Sequence, residues 1–104
     1  MNRMMNEPVP EIFTPEKLDV KISVIKGLFN NYAIIRTTTS LDVGSIEIDG
    51  IKRRANNMAL VNIGLAKNKQ FVTRIKFKKD EPIVVNITAY DRDGNASETI
   101  VKSK

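Results

Sequence analysis

The run Asp91-Arg92-Asp93-Gly94-Asn95-Ala96-Ser97 carries side-chain oxygen at alternate positions, as a calcium loop does. The resemblance fails at its glycine. An EF-hand loop needs glycine at the sixth position to make its sharp bend, and here Gly94 stands fourth. Asp-Gly between two alternating runs is instead a strong hairpin signal, so a plain turn is expected, with a weak cation site as the alternative. Two carboxylate pairs, Glu47 with Asp49 and Asp80 with Glu81, have the right type for acid–base work. Neither pair has a visible partner to split its pKa values, and all four residues fall at outward or turn positions. They are expected to be surface charges.

The chain has no His, no Cys and no Trp. Thiolate and imidazole metal sites, disulfides and every nucleophile system built on Ser-His or Cys-His are thereby excluded. What remains for catalysis is carboxylate, Lys, Tyr or a metal held by oxygen alone. No enzyme activity, no metal and no cofactor are expected.

Cations are the other chemistry on offer. The formal net charge is +5, which favours acidic partners. One basic group is Lys52, Arg53 and Arg54. A second, Arg74, Lys76 and Lys78, occupies alternate positions, with Lys67 and Lys69 assigned to the turn before it. Alternate residues of a strand stand about 6.6–7 Å apart on one face, so the second group makes a stripe. If both groups share a sheet face, they form a patch able to meet carboxylate or phosphate. A protein partner or acidic surface is expected ahead of nucleic acid, because nucleic-acid surfaces interleave aromatic rings for base stacking. Phe71 and Phe77 are assigned inward, and on these strands Tyr90 alone among the aromatics is assigned outward. The competing reading is that the lysines guard an edge strand against aggregation.

These residues are carried on short strands. Leu18–Ile25, Tyr32–Thr39, Ser45–Asp49, Ile51–Arg54, Met58–Gly64, Gln70–Lys78, Ile83–Tyr90 and Glu98–Lys102 read as apolar or alternating runs, with turn residues between them. That spacing, and the lack of any amphipathic helix, predicts an all-β protein of about seven strands. The expected core is Val20, Ile22, Val24, Ile34, Ile46, Ile48, Leu60, Phe71, Ile75, Phe77, Val85, Ile87 and Ala89. A small nucleic-acid-binding β-barrel is the rival architecture. Residues 1–17 hold Pro8, Pro10 and Pro15 among polar residues and read as an extended, flexible leader, leaving 18–104 as the domain. No apolar run approaches the roughly 18 residues of a membrane span, and the N-terminus lacks the apolar stretch of a signal peptide.

Three segments carry a family resemblance. Asp42-Val43-Gly44-Ser45-Ile46-Glu47-Ile48-Asp49-Gly50, then Phe71 to Phe77, then Ile83 to Asn95 with Ala89-Tyr90-Asp91 and Gly94-Asn95, resemble successive strands and turns of bacterial immunoglobulin-like domains. The family usually has Gly and Asn before its penultimate strand, where this chain has Asp80-Glu81-Pro82. The resemblance covers about residues 18 to 102 and implies an immunoglobulin-like β-sandwich. It further implies an interaction or spacer module of a larger bacterial or phage assembly, in an extracytoplasmic or assembly-associated setting, binding through a sheet edge or the basic face. Arg74, Lys76, Lys78, Lys52, Arg53 and Arg54 are the candidate partner-binding residues.

Overall fold

The computed structural model describes residues 12–104. Seven strands and one short helix follow in the order β1 (Leu18–Lys26), β2 (Asn30–Thr39), β3 (Ser45–Ile48), β4 (Ile51–Arg53), α1 (Met58–Asn62), β5 (Lys69–Lys78), β6 (Val84–Tyr90) and β7 (Ile100–Ser103). The strands form two antiparallel sheets, β1-β2-β5 and β4-β3-β6-β7. The sheets stack as a β-sandwich and do not close, which rules out the rival barrel.

Alternation along the strands builds the core, because successive side chains point to opposite sheet faces. Val85, Ile87 and Ala89 on β6 and Ile46 and Ile48 on β3 are fully buried from one side. Ala33 and Ile35 on β2 and Phe71 and Phe77 on β5 meet them from the other. Val20, Ile22, Val24 and Ile75 are half-buried and pack against this cluster. A two-residue turn joins β3 to β4, with Asp49 at φ 50° and Gly50 at φ 80°. Positive φ at both positions matches the natural twist of the strands, and only glycine and a few polar residues adopt it cheaply.

Four expectations are corrected. Ile34 is not core: β2 runs in the opposite phase, with Ala33, Ile35, Thr37 and Thr39 buried and Tyr32, Ile34, Arg36 and Thr38 on the outer face. Met58–Gly64 is not a strand. Met58–Asn62 forms α1, none of whose residues is buried, and Leu60 is 48% exposed. No neighbouring strand pairs with this segment, so the helix satisfies its own backbone. Gly64 at φ 78° then closes it, with the Leu65 N–H donating to the Leu60 carbonyl at 2.9 Å and the Gly64 N–H to Val61 at 3.1 Å. Lys69 is not a turn residue. It opens β5 opposite Thr39 and is buried. Finally, Tyr32 joins Tyr90 on outward positions of the sheets.

Of the expected leader, residues 1–11 lie outside the described residues. Residues 12–17 lie along the sandwich: the Phe13 N–H donates to the Ala96 carbonyl at 2.9 Å, and the Phe13 ring packs against the core. Among the described residues no helix is long and apolar enough to cross a membrane.

Candidate functional site

The outer face of β1-β2-β5 carries five exposed cations. Register places Lys21 opposite Arg36 and Arg36 opposite Val72. Ser23, Ile34 and Arg74 make the next row, and Ile25, Tyr32 and Lys76 the one after. Lys78 ends the stripe. Lys21, Arg36, Arg74, Lys76 and Lys78 are all exposed, and the one acid on these outward positions is Asp19. Asp19 is itself 3.9 Å from Lys17, the only ion pair among the described residues. Like charges directly opposite one another, as Lys21 and Arg36 are, oppose sheet formation. The Arg74 guanidinium rests over the Tyr32 ring, 4.2 Å from its centroid, which fixes one cation in place.

No family model matches this chain, and no curated protein or solved structure matches it either.

The second basic group lies elsewhere. Lys52 stands on β4 opposite Glu47, in the other sheet, so the two groups do not share a face. Arg53, opposite the buried Ile46, is half-buried with its Nε enclosed and unbonded. Lys52 and Arg54 instead line a cleft of about 500 Å³ at the end of the sandwich where β2 ends and β5 begins. Its other polar walls are Lys69, Asp91 and Arg92. Burial pushes the Lys69 ammonium pKa down, Arg92 pushes it further, and Asp42 opposes both. The Lys69 Nζ donates to the Val43 carbonyl.

The edge of β5 is partly occupied. Asn57 Oδ1 accepts the Gln70 N–H at 2.9 Å, Asn56 Oδ1 accepts that of Val72 at 2.7 Å, and Glu81 Oε1 accepts that of Lys78 at 2.9 Å. Amide and carboxylate side chains thus take the places a neighbouring strand would fill. Only the middle of the strand, around Arg74 and Lys76, keeps outward backbone groups without such a partner among the described residues. β1, over nine residues, has no strand on its outer side among the described residues.

The oxygen-rich run after β6 forms a turn. Asp91 Oδ1 accepts the N–H groups of Asp93 at 2.9 Å and Asn95 at 2.8 Å, and its Oδ2 accepts Asn95 Nδ2 at 3.0 Å. The Asn95 amide leads these contacts in holding the Asp91 carboxyl below its usual range. A carboxylate committed to its own turn has little left to offer a cation, and no cluster of three or more acidic ligands occurs among the described residues. Glu47 and Asp49 are likewise committed, as is Glu81 through the Lys78 N–H. Glu47 accepts the Tyr90 hydroxyl, a bond that raises the phenol pKa, and Asp49 accepts the Asn86 N–H at 2.9 Å.

Of the functional candidates, sequence reasoning found Arg74, Lys76, Lys78, Lys52 and Arg54. It missed Arg36 and Tyr32, which depend on the phase of β2, and Lys69 and Arg92, which reach the cleft from separate segments. Lys21 was legible as the polar alternate between Val20 and Ile22.

Proposed function

We propose that this chain is a non-catalytic interaction module with an immunoglobulin-like sandwich, which docks an acidic protein surface on the outer face of β1-β2-β5. The observation that carries the reading is the cation cluster Lys21, Arg36, Arg74, Lys76 and Lys78, opposed on that face by Asp19 alone. Uncompensated charge of one sign speeds encounter with a partner of the other and excludes like-charged competitors. Exposed Ile25 and Val72 and half-buried Ile34 lie among the cations and offer the apolar contact a protein interface needs. A nucleic-acid face would instead interleave several rings, and here Tyr32 stands alone under Arg74.

Strand order supports the immunoglobulin-like assignment. The first, second and fifth strands share one sheet and the third, sixth and seventh the other, as in the constant-type arrangement. The fourth strand differs: it pairs with the third rather than joining the fifth. A place within a bacterial or phage assembly rests on the resemblance of the Asp42–Gly50, Phe71–Phe77 and Ile83–Asn95 segments. The lack of His and Cys supports a non-catalytic role.

The test is titration with a glutamate-rich peptide followed by amide chemical shifts. Shifts should cluster on Lys21, Arg36, Arg74, Lys76 and Lys78, and weaken steeply with salt. The triple variant R74E/K76E/K78E should abolish them, while stability changes by about 0.5 kcal/mol or less at Lys76 and Lys78 and by up to about 1 kcal/mol at Arg74, which leaves the Tyr32 ring. Undiminished binding in that variant, or tighter binding of single-stranded nucleic acid with Tyr32 shifted most, would sink the reading.

A further inference from the structure

The cleft between the β2–β3 loop, the end of β4, the start of β5 and the segment after β6 has a charge balance that folding alone does not explain. Lys69 is 5% exposed, yet its ammonium meets only a neutral carbonyl, that of Val43, among the described residues. An ammonium carries three donors and retains its charge in a buried place only at considerable cost unless an anion faces it. No ion pair among the described residues supplies one. Asp42 attracts Lys69, but its carboxylate already accepts the Ser40 hydroxyl, and the repulsion from Arg92 is the larger of the two effects. Asp91, the one acid lining the cleft, is bonded within its own turn. Lys52, Arg54 and Arg92, all exposed, surround this buried cation. A volume of about 500 Å³ falls in the range of small-molecule sites, about 300–1,000 Å³.

We propose that this cleft binds a phosphate monoester, with Lys69 at its base and Lys52, Arg54 and Arg92 around its rim. A phosphate monoester brings about 1.5–2 negative charges and three acceptor oxygens, against the single charge and two oxygens of a carboxylate. Two arginines suit it further, since the guanidinium fork matches phosphate geometry. Met58 and Ala55 add apolar surface on which the rest of the ligand rests. The phosphate belongs either to a small metabolite or to a phosphorylated side chain of a protein. The site is separate from the cationic sheet face, so it stands or falls independently of the acidic-protein reading.

Amide and phosphorus NMR with inorganic phosphate tests the proposal directly, with sodium chloride at matched ionic strength as the control. Saturable shifts at Gly44, Arg54, Lys69 and Arg92 are expected, together with a rise in Tm. Each of R54Q and R92Q, both exposed substitutions, should weaken binding on the order of tenfold, the loss of about one charge-assisted hydrogen bond. K69M should abolish it, and because that variant is buried, the two arginine variants carry the test if it fails to fold. Glycerol phosphate and a phosphoserine peptide, compared with its unphosphorylated form, separate the sources: stronger binding of the peptide assigns a protein-borne phosphate, and equal binding a metabolite. Shifts that do not saturate, that persist in both arginine variants, or that centre on Arg74, Lys76 and Lys78 would overturn the proposal.

Discussion

Arg74 reaches diagonally across the β2–β5 ladder to Tyr32. Its own register partner is Ile34, and Tyr32 pairs with Lys76, yet the Arg74 guanidinium carbon lies 4.2 Å from the Tyr32 centroid. Diagonal neighbours on one face are within reach of long side chains, and a cation over a ring at an exposed site contributes about 0.5–1 kcal/mol. A double-mutant cycle of Y32L and R74M by urea unfolding should return a coupling of that size, little affected by salt. A coupling near zero would show that Arg74 is not held by the ring.

The phase of β2 is open to a direct test with two adjacent isoleucines. Ile35 is fully buried, whereas Ile34 faces outward and is half-buried. I35A should lower stability by about 2–5 kcal/mol, the usual range for a large-to-small change in a core, and I34A by about 1 kcal/mol. Equal losses would mean that the strand's two faces are not distinguished as described.

Asn56 and Asn57 hold the β5 edge by accepting its N–H groups, and Asn57 also donates to the Asn68 carbonyl at 2.9 Å. N57A removes both of its contacts and should cost about 1 kcal/mol, near the typical value of an intramolecular hydrogen bond, with N56A somewhat less. Hydrogen exchange should accelerate at Gln70 in the first variant and at Val72 in the second. Unchanged protection at those amides would show that the side chains do not shield the edge.

Acid stability should depend on Asp91. Hydrogen bonding to Asn95, foremost, lowers its pKa in the folded protein, so the unfolded chain holds its proton more tightly. Its stabilising contribution is therefore fully present above the ordinary carboxylate pKa and is lost as pH falls through the lowered folded value. A side-chain carboxyl titration by NMR should place the Asp91 midpoint below the ordinary aspartate value. D91N should flatten the acid limb of the stability curve. An ordinary midpoint for Asp91 would refute this.

The two strands that read most plainly in the sequence are those whose faces differ most in polarity. Phe71, Thr73, Ile75 and Phe77 against Val72, Arg74, Lys76 and Lys78 leave one phase open, and β6 is as clear. β2 is not, because Tyr32-Ala33-Ile34-Ile35 is apolar on both faces and its inward set ends in Thr37 and Thr39. Arg36 alone marks the outer face there, and Ile34 beside it is as apolar as the buried Ile35. The apolar run Met58–Gly64 has no partner strand, and nothing local in it distinguishes a strand from a short exposed helix. Lys69 shows the limit for the site. Within Lys67-Asn68-Lys69 it has the composition of a turn, and only its pairing with Thr39 carries it into the sandwich.

The side chains that occupy the β5 edge also bear on stoichiometry. A sheet with two open edges can add copies of itself without limit and grow into a fibre. With β5 obstructed at both ends, β1-β2-β5 has one long side left among the described residues, the nine residues of β1. Two molecules joined there about a twofold axis use up each other's long opening, so lateral growth through that edge stops at a pair.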